Sequence, residues 1–114
     1  WATTQGGPAN STDILVTYVP VGHTDAVLAA VFAAGAGRIG DYTECAFVQA
    51  GTGQFRPGPT TDPLIGVVGE VQRVPEHRVE VVLSRAVRQQ VVAALRDAHP
   101  YEEPAFHIIE TATG

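Results

Sequence analysis

The chain contains one cysteine, no methionine and no lysine, and it has no long apolar run. The lone Cys45 excludes an internal disulfide and every zinc motif built from several cysteines. No apolar segment approaches the roughly 20 residues that span a bilayer, so we expect no membrane association. Scarce cysteine is typical of cytoplasmic proteins, and the cytoplasm is the location we expect.

The absence of lysine leaves arginine as the only basic residue type. All seven basic residues are arginines, against twelve acidic residues, and the formal net charge is −5. This balance argues against nucleic-acid binding, because phosphate backbones require basic surfaces. Arginine suits bidentate contact with a carboxylate or a phosphate, so the positive groups of this chain are fitted to such contacts.

Length and composition predict one folded domain behind a short polar arm. A chain of 114 residues can bury a core without disulfide or metal staples. Residues 1–12 are rich in Gly, Thr, Ser and Asn, which is typical of a flexible arm or linker, and residues 13–114 form the predicted domain. The chain opens on Trp1 and has no methionine, so we expect a processed form or a fragment of a longer protein.

Side-chain periodicity predicts two helices and several strands within the domain. Apolar residues at helical spacing predict helices at residues 24–35 and 85–98. Thr24 and Ser84 are the expected N-caps, and Gly35 is expected to end the first helix. Alternation predicts strands at residues 13–20, 42–50, 66–74, 77–84 and 105–111. Residues 51–63 are dense in Gly, Pro and Thr, so we expect them to be irregular.

The order of these elements predicts an α+β fold of the ferredoxin-like βαββαβ type. Pro75 and Glu76 separate two strand segments in its middle. Such a fold has a four-stranded antiparallel sheet with both helices on one face. The opposite face would carry Val and Ile residues without a cover. A bare apolar face is a docking surface, so the pattern predicts oligomerisation.

Two loops carry most of the polar chemistry. Residues 99–104 read His-Pro-Tyr-Glu-Glu-Pro, and their prolines bias the preceding residues toward extended geometry, which ends the second helix. Residues 51–58 read Gly-Thr-Gly-Gln-Phe-Arg-Pro-Gly, a glycine-rich turn with one arginine. The rest of the chain is interpreted as a scaffold for these loops.

The first loop has a chemical and a structural interpretation. His99 with Glu102 and Glu103 would suit a metal pair or a general acid–base pair, because a neighbouring carboxylate raises imidazole basicity. In the structural interpretation the prolines shape the turn, Tyr101 packs on the core, and the carboxylates cap backbone donors or pair with an arginine. The structural interpretation is favoured, because no nucleophile or orienting group accompanies the pair.

The second loop also has two interpretations. Successive backbone N–H groups of Gly51, Thr52 and Gly53 would form a nest for an anion, with the planar fork of Arg56 beside it. Alternatively, the glycines permit positive φ in a long hairpin, and Arg56 pairs with an acidic residue across a subunit boundary. The segment lacks the Gly-Lys-Ser/Thr of a Walker sequence. Both interpretations stay open.

Four further residues could carry chemistry but favour ordinary roles. Cys45 on a strand is interpreted as a small buried hydrophobe. His23, near a helix start, is expected to be a solvated loop residue. His77 and His107 have no partner at ligand spacing and are expected at exposed strand positions. We therefore expect no stoichiometric metal and no other cofactor.

Motifs along nearly the whole domain resemble the domain inserted in NIF-three-like dinuclear-metal proteins, which also exists in short stand-alone bacterial relatives. In chain order these are Tyr18-Val-Pro-Val-Gly-His23, Gly35-Ala-Gly-Arg-Ile-Gly-Asp-Tyr42, Cys45-Ala-Phe47, Gly51-Thr-Gly-Gln-Phe-Arg-Pro57, Ile65-Gly66 with Gly69-Glu70, and His99 to Pro104. The last motif is also similar to a segment of CutA proteins.

This resemblance implies a PII/CutA-like fold that assembles as a homotrimer through sheet edges. In the full-length family a hexamer holds two metal ions through ligands in the flanking halves, so this chain would be the insert without the metal core. The resemblance also implies that the long excursion between the second and third strands lies beside a neighbouring subunit.

The function expected from the sequence is a non-catalytic oligomerisation and small-ligand-binding regulatory domain. Its partners would be two further copies of the chain and a small anionic ligand. The residues expected to contact that ligand are Gly51, Thr52, Gly53, Arg56, His99, Tyr101 and Glu102. The alternatives are a metal-binding or hydrolase-type module that uses His99 and Glu102, and a structural lid over the metal site of a parent protein.

Overall fold

The structure, a computed structural model, describes residues 11–112 and has the predicted βαββαβ order. Its elements are β1 (Thr12–Pro20), α1 (Thr24–Ala33), β2 (Phe47–Phe55), β3 (Gln72–Ser84), α2 (Arg88–Ala98) and β4 (Phe106–Glu110), with a 3-10 turn at Arg85–Val87. The four strands form one antiparallel sheet in the order β2-β3-β1-β4. The ferredoxin-like class is confirmed. Most of the predicted arm lies outside the described residues, so the domain boundary stays a prediction.

The core lies between the helices and one face of the sheet. Because side chains alternate along a strand, every second residue of the central strands points toward the helices. The buried apolar side chains on this side are Leu15, Val19, Val79, Val81 and Leu83 from the sheet, with Val27, Val31, Val91 and Leu95 from the helices. Val79, Val81 and Leu83 alternate along β3, so this face of the strand is the buried one.

β3 is one continuous strand, so the predicted break at Pro75 and Glu76 is wrong. The pairing of β1 with β3 stops at Pro20 opposite Glu76, whereas β2 pairs with β3 as far as Gln72. The carbonyl of Pro75 accepts a hydrogen bond from the Val21 N–H at 3.2 Å. The nitrogen and carbonyl of Pro75 point to the same side, toward the chain just beyond the end of β1. The proline therefore removes no hydrogen bond from the β2–β3 ladder. Beyond that point β2 and β3 form a two-stranded ribbon.

β2 is displaced along the chain from its predicted position. The strand was predicted at residues 42–50, with irregular structure from 51 to 63, but it runs Phe47–Phe55 and includes Gly51 and Gly53. Residues 42–46 lie outside the strands, apart from one isolated bridge between Ile39 and Tyr42. Hydrogen bonding to β3 outweighs the low strand propensity of glycine here, because propensity is weaker than tertiary context.

The helix ends agree with the sequence at two of three positions. Ser84 Oγ accepts from the Ala86 N–H at 3.3 Å, which confirms its capping role. Gly35 follows α1 with φ +112°, a value that favours glycine. Thr24 is not the N-cap of α1; that position belongs to His23, and the Thr24 hydroxyl instead lies 2.7 Å from Nδ1 of His77.

An ion cluster around the buried Asp13 ties β1, the start of α2 and β4 together. The carboxylate of Asp13 is fully buried and accepts from Arg85 Nε at 2.9 Å and Arg88 Nε at 2.8 Å. Arg88 also donates to Glu110 at 2.6 Å. Burial alone would raise the pKa of Asp13, but the hydrogen bonds from Arg88 and Arg85 hold it below its ordinary value. Asp13 therefore stays ionised in the folded protein.

We predict that Asp13→Asn lowers the free energy of unfolding at pH 7 by about 1.5–3 kcal/mol, the usual worth of hydrogen bonds to a charged group. A carboxyl whose folded pKa is lowered stabilises the fold above its ordinary pKa of 3.8, and that stability is lost as the pH falls through the folded pKa. Urea unfolding between pH 2.5 and 7 should therefore show a steeper acid loss for wild type. Exposed Asp41 offers the control, Asp41→Asn. Equal stability of Asp13→Asn and wild type would contradict the cluster's role.

Candidate ligand-binding cleft

His99 holds the end of α2 against β1. It occupies the C-cap position with extended backbone angles, and only 5% of its surface is exposed. Nδ1 accepts from the Tyr101 N–H at 3.1 Å, so the ring proton is on Nε2, which donates to the Tyr18 carbonyl at 2.7 Å. Burial lowers the pKa of His99, so the imidazole is neutral. Both nitrogens are engaged by backbone groups, which does not favour metal ligation or acid–base chemistry.

Tyr101 packs the loop at residues 99–104 against the two-stranded ribbon of β2 and β3. Its ring centroid lies 5.8 Å from that of Phe55 and 5.1 Å from that of His99. Its hydroxyl donates to Oε2 of Glu76 at 2.8 Å. Burial and the Glu76 carboxylate both raise the pKa of Tyr101, so the phenol remains a donor at neutral pH. Tyr101 was predicted to pack on the core, but it packs on Phe55 and His99, outside the core cluster. Its hydrogen bond to Glu76 was not indicated by the sequence.

The two loops bound a single cleft of about 640 Å³ on the sheet face opposite the helices. Of the seven predicted ligand residues, six line it: Gly51, Thr52, Gly53, Arg56, Tyr101 and Glu102. His99 lies behind the cleft and positions Tyr101. The volume lies within the range of small-molecule sites.

Glycine at alternate positions of β2 makes the floor of this cleft. Gly51 is opposite Glu76 and Gly53 is opposite Val74, so all four lie on the open face. Two side chains are thereby missing from the sheet surface between Gln49 and Phe55. A Cβ atom built at Gly53 would overlap the Glu76 carboxylate. Glycine at position 53 thus leaves room for the Glu76 carboxylate and does not serve a turn.

The predicted anion nest of backbone N–H groups is not formed. A nest needs a turn-like run of residues, whereas residues 51–53 are extended within β2. Arg56 is exposed and donates from Nη1 to the Gly69 carbonyl at 3.0 Å, and the Gly69 N–H donates to the Pro57 carbonyl at 2.8 Å. Within residues 11–112 Arg56 has no acidic partner. Arg56 also lines the cleft, and among residues 11–112 no hydrogen bond from its other side-chain nitrogens is found.

The carboxylates around the cleft have distinct environments. Glu102 accepts from the Asp62 N–H at 2.9 Å, as the capping interpretation predicted. Glu103 is exposed. Glu76 is 8% exposed, and no arginine among the described residues lies within ion-pairing distance of it. Glu76 was not predicted, because Pro75 was interpreted as a break between two strands. β3 continues through the proline, and its register places Glu76 on the open face.

The remaining candidates do not join this site. Cys45 is half-buried outside the strands, with Sγ 3.8 Å from the Thr43 carbonyl, so its predicted strand position is wrong. His23 and His107 are exposed as expected, whereas His77 is half-buried with a threonine partner. No group of three or more His, Cys, Asp or Glu side chains is placed to hold a metal within the part of the chain described.

Comparison with known proteins relates the chain to one segment of longer bacterial proteins. It is 57% identical over 96 residues to the Mycobacterium tuberculosis protein named GTP cyclohydrolase 1 type 2 homolog, a match that covers 84% of this chain and 25% of the relative. The chain thus spans about a quarter of the length of the curated relatives it matches. No family model matches the chain.

Solved structures agree with both parts of the resemblance. A Bacillus cereus protein related to NIF3 superimposes with a TM-score of 0.80 and 34% identity, over 96% of this chain and 28% of that one. CutA from Archaeoglobus fulgidus superimposes with a TM-score of 0.65 and 12% identity, over 90% and 86% of the two chains, which shows the fold. No helix among the described residues is long and apolar enough to cross a membrane.

We predict that His99 makes stability depend on pH in the weakly acidic range. Because burial lowers the folded pKa below the ordinary value of 6.5, the unfolded chain binds more protons in this window. The free energy of unfolding should fall as the pH drops below about 6.5, and His99→Gln should flatten that fall while lowering stability at pH 7. His107→Gln, at an exposed position of β4, is the control for urea titrations at pH 5 to 8. An identical slope in His99→Gln and wild type would contradict the assignment.

Proposed function

We propose that this chain, which is homologous to one segment of NIF3-related proteins, is a non-catalytic domain that assembles as a homotrimer and binds a small ligand in the cleft. The observation that carries the proposal is the position of the cleft. It lies on the sheet face opposite the helices and beside β2, which is an edge strand. A ligand there would meet both the chain and any neighbour that pairs with this edge, which suits a regulatory role.

Two features of the surface support assembly. The outer edge of β2 has no strand beside it within residues 11–112, and an unpaired edge is a template for pairing with another chain. Phe47 and Ile109 lie on the open face, with 62% and 49% of their surfaces exposed. These two residues lie on the opposite edge strands β2 and β4, where further copies of the chain would cover them. The trimeric assembly itself comes from the resemblance to the PII/CutA-like family.

Arg56 supports binding of a ligand with an anionic group. Its guanidinium lines the cleft and donates from one nitrogen to the Gly69 carbonyl, which leaves its other N–H groups available to a ligand. A planar guanidinium forms paired hydrogen bonds with carboxylate or phosphate. Arg78, the other arginine of the lining, is already bonded to Glu80 at 2.9 Å. Arg56 is therefore the cation best placed for the ligand.

The contacts of the loop support a non-catalytic role. A general base must offer a nitrogen or oxygen to the substrate proton, whereas each ring nitrogen of His99 is occupied by the backbone. The Tyr101 hydroxyl is directed to Glu76. Both groups hold the cleft in shape, and neither is paired with a nucleophile.

We predict that the purified chain scatters light as a particle of about three times its 12.0 kDa mass. Phe47→Arg should weaken assembly, because it places a charge on the apolar open face. Val21→Arg is the matched control, since Val21 is similarly exposed but lies in the turn before α1. A monomer at all concentrations from micromolar to millimolar would rule out the assembly.

We predict that Arg56→Ala abolishes the rise in melting temperature that inorganic phosphate or a panel of nucleotides and organophosphates causes in wild type. The exposed Arg73 lies outside the cleft, so Arg73→Ala should respond as wild type does. Arg56→Ala changes a surface side chain, so its melting temperature without ligand should stay close to that of wild type. A large fall without ligand, or loss of the trimer, would make Arg56 structural instead.

A further inference from the structure

Glu76 is the buried acidic group that faces the cleft. Only 8% of its surface is exposed, and it lies on β3 directly opposite Gly51. Oε2 accepts the hydrogen bond from the Tyr101 hydroxyl at 2.8 Å. The carboxylate extends over Gly53, whose missing side chain leaves room for Oε1. Oε2 is thus held by the protein, whereas no hydrogen bond to Oε1 is found among residues 11–112.

The protein provides little compensation for this charge. A buried carboxylate is costly unless a cation or several donors accompany it. Arg78 lines the same cleft but is bonded to Glu80, and Arg56 is bonded to the Gly69 carbonyl. Within residues 11–112, the Tyr101 phenol is the only side-chain donor that Glu76 receives. The cleft therefore lacks a positive group at this point.

We propose that Glu76 binds the cationic end of the ligand, a planar guanidinium or amidinium group with paired N–H donors. This inference rests on the proposed function, namely that the cleft binds a small ligand. The paired N–H donors of a guanidinium match the two oxygens of a carboxylate. The rings of Phe55 and Tyr101, which line the cleft with Glu76, favour a flat cation. Glu76 is thus a specificity-determining residue that the sequence did not identify.

The spacing along β2 sets the shape of such a ligand. Glu76 lies opposite Gly51, and Arg56 is five positions further along the chain, roughly 16 Å at the usual strand rise of about 3.3 Å per residue. Both side chains reach into the cleft and shorten that span. The ligand class is therefore an elongated zwitterion, with its cation at Glu76 and its anion at Arg56.

The test uses phenylguanidine as a cation probe, 4-guanidinobenzoate as a zwitterion probe and benzoate as an anion probe, with calorimetric titration of the intact protein. Phenylguanidine should bind wild type, 4-guanidinobenzoate should bind more tightly, and Glu76→Gln should weaken both by at least tenfold. Asp41→Asn is the control, because Asp41 is an exposed carboxylate outside the cleft; its affinities should stay within twofold of wild type.

A second variant tests the same site without replacing Glu76. Gly53→Ala keeps a glutamate at position 76 but adds a methyl group where its carboxylate lies, so the carboxylate must move. Phenylguanidine affinity should therefore fall at least tenfold while the oligomeric mass is retained. Absence of phenylguanidine binding to wild type, or equal affinity for Glu76→Gln, overturns the inference. Dissociation of the oligomer by Glu76→Gln also overturns it, since the carboxylate would then be paired across subunits. Trimer formation and Arg56-dependent phosphate binding without phenylguanidine binding would refute the cation site alone.

Discussion

The shape of the cleft depends on one buried imidazole. His99 joins the Tyr18 carbonyl of β1 to the Tyr101 N–H of the loop, and it does so only as the neutral Nε2–H tautomer. That contact fixes where α2 ends and turns Tyr101 toward Phe55 and Glu76. A histidine that resembles a catalytic group in the sequence is therefore a positioning residue in the structure.

The second constraint is the absence of side chains on β2. Gly51 and Gly53 lie on the same face as Glu76, and together they expose the backbone as a floor. A glycine-rich segment commonly indicates a turn with positive φ. Here glycine lets the Glu76 carboxylate lie close to the backbone of β2. The same missing side chains form the cleft. The cleft exists because Gly51 and Gly53 of β2 have no side chains, and the loop after α2 forms its wall.

The fold was predictable from the sequence because each element has a local signal. Leu15 and Val19 alternate toward the core, Ser84 caps the turn before α2, and Gly35 ends α1. The extent of β2 and the continuity of β3 were not predictable, because pairing between the two strands outweighs local glycine and proline propensities. Six of the seven residues proposed from the sequence line the cleft. Glu76 was not among them, since its place on the open face depends on the register between β2 and β3.

The most direct measurement of the central claim is the nuclear Overhauser effect between the aromatic rings of Tyr101 and Phe55 in the purified protein. The structure predicts a strong cross-peak in wild type, consistent with ring centroids 5.8 Å apart, and a weak or absent one in His99→Gln. If wild type shows no contact between these rings, the two loops do not form one cleft, and the account of the site is wrong.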